Sequence, residues 1–311
     1  MTNKMTPEEM VARLLYRDGL MLVIDKPTGM AVHRGPKGGE SLEDHFDALR
    51  FGLPRAPALA HRLDRDTSGC LMLGRHRKAL AALGKMFKTG KVGKTYWAVV
   101  EGGPEADEGS IDLALSKRDE TRGWWMKPDP QGLPSVTTWK VMGRFHPSPL
   151  AGEVDRKAVG RGVKQQALDS SDPPPQPSPA RGEGVSSARG KVKITWLAME
   201  PVTGRTHQLR VHAAEMGWPI VGDNIYGSAP RSGRKVQEVV ARSDAKPVPT
   251  FAERAPILHL HSREVVVPIS KNKPPVVIIA PVPEHMRERL ALCGWREEPS
   301  PPAGEGGELR A

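Results

Sequence analysis

Apolar positions along the chain come in short stretches whose spacing changes from one to the next. Residues 1–25 read as a short helix, a turn at Asp18-Gly19 and a strand over 20–24 (LMLVI). Ser41 followed by Asp44 is a weak capping-box signature for a helix running to about Arg50. Residues 59–75 read as strand-like and hold the densest polar cluster in the chain. Over 77–89, Leu80, Leu83 and Phe87 recur at helical spacing with Met86 adjacent, which predicts an amphipathic helix. Residues 94–100 alternate as a strand does, with Thr95, Trp97 and Val99 on one face and Tyr96, Ala98 and Val100 on the other. Further strands are expected over 136–142 and 192–199, and two more within 257–280. Residues 204–217 read as a loop entering a helix with Leu209, Ala213 and Met216 on one face; Gly217 ends it and Pro219 blocks its continuation. Asp223-Asn224 reads as a turn, and 284–294 as a last helix closing at Gly294. The order mixes helix and strand without a regular βαβ beat, which argues against a doubly wound sheet.

The pattern breaks down over 146–190, where 7 Pro and 6 Gly sit among polar residues with no periodicity. Such a stretch cannot bury a core and is expected to be a disordered insertion. PSPLAGE at 147–153 returns as PSPARGE at 177–183 and as PSPPAGE at 299–305. Unequal spacing rules out a solenoid. The copies resemble translated pieces of a short mobile DNA element; a proline-rich docking linker is the other reading. The expected organisation is one domain formed by 1–145 and 191–296, interrupted by 146–190 and followed by a disordered tail over 297–311.

Composition narrows the function classes. The longest greasy runs, 20–24 and 276–280, fall far short of the ~18 apolar residues of a membrane span. The first ten residues carry two glutamates and no apolar core, unlike a secretory signal. Two cysteines cannot make a disulfide framework, so a reducing cytoplasm is expected. Lys and Arg outnumber Asp and Glu by 46 to 36, and the net +10 points to a polyanionic partner. Part of that charge is concentrated: residues 61–94 hold nine Lys and Arg against two acids. A solvated helix face accounts for some of this and a phosphate-tracking surface for all of it.

Three constellations could carry chemistry. In 61–69 (HRLDRDTSG), Asp64 lies between Arg62 and Arg65. If 60–64 is extended, Arg62 and Asp64 point the same way with Leu63 buried behind them. Nearby cations keep a carboxylate ionised, ready to act as nucleophile or base. From charge alone the same pattern also suits a surface ion-pair network. In 204–212 (GRTHQLRVH), Arg205 and Thr206 stand at an expected helix N-terminus suited to phosphate, with His207 and Arg210 on one face. His207 and His212 are five apart, not the i, i+4 of a helical zinc pair, so no metal is expected. Each histidine alone is as readily structural. Lys94-Thr95-Tyr96 places one of only three tyrosines on a strand, where it suits base stacking or simple core packing.

Together these stretches resemble the RluA-type pseudouridine synthases, which isomerise uridine in ribosomal or transfer RNA. The likeness rests on HRLDRDTSG (61–69), Lys94–Tyr96 followed by VVEG (99–102), GRTHQLRVH (204–212), GWPIVGDNIYG (217–227) and DKPTG (25–29). It implies an α+β domain around a mixed, mostly antiparallel central sheet with flanking helices, its site in a basic cleft. By that resemblance Asp64 is the catalytic aspartate, Arg210 pairs with it, Tyr96 stacks on the target uracil, and Arg62 helps displace the base. His61, Arg65, Thr67, Lys94, Arg205, His207 and Gln208 complete the expected substrate-binding set. The reaction detaches, turns and rejoins a base, so no cofactor is expected; the partner is an RNA stem-loop, with no membrane and no obligate protein partner, and the protein is expected to be a monomer. The short leader before the first strand resembles members without an added RNA-binding domain. Cys70 stands where the family more often has leucine.

Two rivals remain. Asp64 and Asp66, roughly 6–7 Å apart on one strand face, could be the carboxylates of a glycoside hydrolase. The flanking arginines would hold both ionised and leave no general acid. A non-catalytic RNA-binding or chaperone protein on the same fold would lack the carboxylate or the tyrosine, and both are present.

Overall fold

The computed structural model describes residues 5–35, 38–117, 125–146, 193–227, 257–269 and 272–297. His146 apart, these belong to one compact unit formed by 1–145 and 193–311. The expected insertion, its repeats and the tail beyond Glu297 lie outside the described residues.

The chain opens with α1 (Pro7–Ala12), started by a complete capping box between Thr6 and Glu9 with Pro7 in the first turn. Strands β1 (Leu14–Arg17) and β2 (Met21–Lys26) follow. Asp18 makes the turn between them by accepting the Leu20 and Met21 N–H groups at 2.7 Å each. The helix expected from Ser41 exists as a 3-10 helix, Leu42–Leu49, in which Asp44 accepts the Ser41 N–H at 2.9 Å while the Ser41 hydroxyl makes no cap bond. Then come β3 (Ala58–Leu59), β4 (Ser68–Gly74) and α2 (Arg77–Lys88), the last capped by the His76 side chain accepting from the Ala79 N–H. Strands β5 (Gly93–Glu101), β6 (Glu108–Asp112), β7 (Leu115–Lys117), β8 (Met126–Pro128), β9 (Val136–Phe145) and β10 (Ile194–Pro201) lead to α3 (Gln208–Glu215). Strands β11 (Leu260–Val267) and β12 (Val276–Ile279) and helix α4 (Glu284–Leu292) close the described chain.

Ten strands form one sheet in the order β1-β2-β4-β11-β5-β10-β9-β6, with β12 on β11 and β3 on β4; β7 and β8 pair separately. Only β4 and β11 run parallel among the described pairs, so the sheet is mixed and mostly antiparallel, as the resemblance implies. Neighbours β11 and β5 are adjacent in space though more than 150 residues apart in sequence.

Side chains leave the sheet on both faces into apolar layers. Leu22, Ile24, Leu71, Leu73, Tyr96, Ala98 and Val100 enter a core shared with the 3-10 helix and with Leu209 and Ala213 of α3. Met21, Val23, Cys70 and Met72 enter a second layer with Leu83 of α2. A strand buried on both faces has no alternation to display, which is why 20–24 is uniformly apolar. Strand β5 separates its faces as its sequence predicts: Val99 packs with Met286 and Leu290 of α4, away from Tyr96, Ala98 and Val100.

Two expectations need correction. The stretch 59–75 is not one strand: β3 ends at Leu59, β4 begins at Ser68, and the polar cluster between them is a loop. Met216 does not join Leu209 and Ala213, being 48% exposed, because α3 has no single buried face; residues from Gln208 to Ala213 are all buried.

Candidate active site

The loop carrying Asp64 is fastened along its whole length. Ala60 donates its N–H to Met72 O at 3.0 Å, and His61 Nε2 accepts the Met72 N–H at 3.0 Å. The His61 ring also lies against Phe87, 4.7 Å between centroids, and burial pulls its pKa down to about 4. It therefore acts as a neutral clamp on β4. Leu63 is buried in the core, which pins the residue before Asp64. Thr67 N–H donates to Asp64 O at 3.2 Å and closes a turn.

That turn is held from beneath by residues 26–29. The fully buried Lys26 Nζ donates to Pro27 O, Arg65 O and Thr67 O, each at 2.8 Å. Burial lowers its pKa to about 7, opposed by the charges of Asp66, Asp64 and Asp25. Three carbonyl acceptors need three donors, which an ammonium has and a neutral amine lacks, so the geometry is that of the protonated form. Thr28 Oγ1 donates to Asp66 O at 2.8 Å, and Arg65 Nε to Gly29 O at 2.9 Å. Gly69, at φ 101°, lets β4 start hard against β11, where a Cβ would run into the Ser262 carbonyl.

The opposing wall is α3 and the loop before it. Gln208 is buried and uses its whole amide internally: Nε2 donates to Val136 O and Thr137 Oγ1, and Oε1 accepts from Thr203 Oγ1 and the Arg205 N–H. Arg205 Nε donates to Pro134 O at 3.2 Å, so this guanidinium is tied to the wall at one nitrogen. His207 holds a left-handed backbone, φ 53°, which is costly for a residue with a Cβ and marks a position held by its surroundings.

Asp64 sits between these walls with a side chain 19% exposed, and the groups close to it come from α3 and its N-cap rather than from its sequence neighbours. His207 Nε2 and Arg210 Nη1 each stand 3.7 Å from Asp64 Oδ2. Arg210 is not spent on Asp64. Its Nε and Nη2 donate to the two oxygens of Asp223 at 2.8 and 2.7 Å, a buried bidentate pair. Burial opposes both charges, yet the pairing prevails, holding Arg210 above its ordinary pKa and Asp223 below its own. Asp223 also accepts the Ile225 and Tyr226 N–H groups, at 2.9 and 3.0 Å. Burial, aided by Arg210 and Arg62, keeps His207 below its ordinary value against the pull of Asp64 and Asp223.

An open cleft of roughly 1080 Å³ runs past this group, lined by Arg62, Asp64, Thr67, Lys94, Tyr96, Arg205, His207 and Arg210 among others. Tyr96 shows only 9% of its surface, on the cleft floor, and burial pushes its hydroxyl pKa up. Arg62 is exposed at the mouth, and Lys94 approaches the Phe87 ring at 6.0 Å. All eleven residues singled out in the sequence meet here except Arg65, which turns to Gly29 and does not line the cleft. Lys26, Asp223 and Tyr226 are site residues that the sequence does not single out. Their stretches, 25–29 and 217–227, carry the family resemblance, but a buried lysine or aspartate reveals its role only through its partners. Among the described residues no group of His, Cys, Asp and Glu is arranged to hold a metal ion, and no helix is long and apolar enough to cross a membrane.

Residues 20–215 match the family model described as RNA pseudouridylate synthase. The chain is 35% identical over 274 residues to an uncharacterized RNA pseudouridine synthase of Zymomonas mobilis, covering 88% of this chain and 94% of that one. It is 30% identical to the ribosomal large subunit pseudouridine synthase C of Vibrio cholerae, over 89% of this chain and 68% of that protein. In fold it is similar to the solved structure of human RNA pseudouridylate synthase domain containing 4, with a TM-score of 0.61 at 19% identity over 93% of this chain and 95% of the other.

Proposed function

Because the chain belongs to the RNA pseudouridylate synthase family, isomerases that turn uridine in RNA into pseudouridine, we propose that Asp64 is its essential carboxylate, acting without a cofactor on uridines in stem-loops of ribosomal or transfer RNA. The observation that carries this reading is the placing of Asp64: a partly exposed carboxylate on a tied-down turn, in a cleft, with His207 and Arg210 at 3.7 Å. The isomerisation imports no group and no electrons. What it needs is an ionised carboxylate against the sugar, either to attack it or to take a proton from it, with the base free to turn.

A stacked uridine cannot reach Asp64 and must first leave the helix. Tyr96 offers the freed uracil an aromatic face on the cleft floor, and Arg62 at the mouth fills the space the base vacates. His61 and Gln208 support the walls through the bonds described above, Thr67 closes the turn, and Lys94, Arg205 and His207 line the path. Beside the cleft, whose edge Lys88 lines, Lys85, Lys88 and Lys91 are exposed along α2 and the loop after it, and no acid occurs between Asp66 and Glu101. This face suits the phosphates of the flanking RNA strand. The catalytic domain is taken as 1–145 with 191–296, the 146–190 segment being an insertion.

The deciding test is Asp64→Asn. RNA binding should survive while tritium release from ring-labelled uridine in RNA stops; continued release by the variant refutes the assignment. Comparing pseudouridines in rRNA and tRNA from cells with and without the gene identifies the target.

A further inference from the structure

One tyrosine braces both groups that face Asp64 from α3. The Tyr226 ring lies 5.4 Å from the Arg210 guanidinium and meets the His207 ring edge-on, 5.6 Å between centroids. Its hydroxyl accepts the Met126 N–H at 3.0 Å and stands 2.9 Å from His207 Nδ1. A phenol carries one hydrogen, and the pairing that gives it an acceptor here is O–H donated to Nδ1. A neutral imidazole that accepts at Nδ1 carries its proton on Nε2. Nε2 is the atom that faces Asp64 Oδ2. The other tautomer would set a lone pair against the carboxylate and leave the phenol hydrogen idle.

We propose that Tyr226 is a positioning residue for the reaction: by donating to His207 Nδ1 it fixes the Nε2–H tautomer, and so presents Asp64 with an N–H donor beside Arg210. This rests on the reading of Asp64 as the reacting carboxylate. At 3.7 Å the His207–Asp64 contact is longer than a hydrogen bond, as catalytic contacts often are before substrate binds, and bound RNA is expected to shorten it. The left-handed backbone of His207 and the hydrogen bond from Tyr226 N–H to Asp223 hold the two rings in this relation.

The test uses the full chain labelled with 15N-histidine, the His207 signal being assigned by its loss in His207→Gln. Nitrogen–proton couplings should report the Nε2–H tautomer in the wild type, and Tyr226→Phe should populate the Nδ1–H form. The same variant should lose activity on the order of tenfold to a hundredfold in kcat, with KM unchanged, less than the ~10²–10⁴-fold that a group itself engaged in proton transfer contributes. An Nδ1–H tautomer in the wild type overturns the proposal even if the variant folds poorly. So does wild-type kcat in Tyr226→Phe while Asp64→Asn is inactive. An active Asp64→Asn instead overturns the reading beneath it.

Discussion

Helices α2 and α3 both carry positive charge to the cleft, and they do it in opposite ways. On α2, Arg77, Lys78, Lys85 and Lys88 stand in solvent while only Ala79 and Leu83 are buried. On α3 every residue from Gln208 to Ala213 is buried, Arg210 among them. Exposed charge costs little, acts through numbers and is screened by salt. Buried charge loses its hydration and stays ionised only where a partner and hydrogen bonds replace the water. Arg210 has that partner in Asp223, which leaves one of its nitrogens, Nη1, to face Asp64. The α2 lysines have no buried duty and are suited to holding RNA; the α3 cation is held in one place and is suited to chemistry.

The comparison is broken most directly at Asp223. Asp223→Ala strands Arg210 in the interior and should cost about 3–5 kcal/mol in denaturant unfolding. A loss below ~1 kcal/mol would mean that Arg210 does not depend on Asp223, and that the buried helix is no more demanding than a surface one. A second effect comes from acid. His61, His259 and His261 have folded pKa values of about 4, 4 and 3, lowered mainly by burial, and His207 and His212 are lowered too. For each, the unfolded chain binds the proton first, so stability is full above about pH 6.5 and falls as pH drops toward 4, by about 1.4 kcal/mol per pH unit per histidine. Asp25, raised by burial to about 6, opposes this between roughly pH 4 and 6. Melting temperatures measured from pH 7.5 to 4.5 should therefore fall, and a flat profile would refute the burial of these histidines. The smallest structural effect is expected on α2. Replacing Lys85, Lys88 and Lys91 together by Gln should change stability by only about 0.5 kcal/mol per site. It should weaken RNA binding and flatten the log K against log salt slope by about 2–3, while kcat at saturating RNA holds. An unchanged slope would remove α2 from the RNA path.

Legibility in the sequence follows the same division. Helix α2 and strand β5 each have one face against a core and one elsewhere, and that difference is written as periodicity. Strand β2, buried on both faces, still showed as an apolar run. Helix α3 is the exception, because a helix surrounded by protein has no polar stripe; Met216 keeps the spacing of its apolar face yet lies in solvent. The two-residue β3 and the short β7 and β8 are too brief for any period, and β1 leaves all four residues half-buried. The glycine at 69 is a reminder that some constraints are distant: its requirement comes from Ser262, almost two hundred residues on.

The sequence by itself determined the kind of chemistry available: which stretch holds the carboxylate, which holds the cation and histidine, where the positive charge concentrates, and which family the motifs resemble. Only the tertiary structure decided the partnerships. Asp64 has Arg62 and Arg65 beside it in the chain, yet Arg65 turns to Gly29, and the groups near its carboxylate arrive from α3, more than 140 residues later. Lys26 emerged as the post beneath the turn and Tyr226 as the brace behind His207 and Arg210. The physical reason is that ion pairs and hydrogen bonds depend on distance in space and on loss of water. Both are set by how the ten-stranded sheet brings remote segments together, and neither is written in the spacing along the chain.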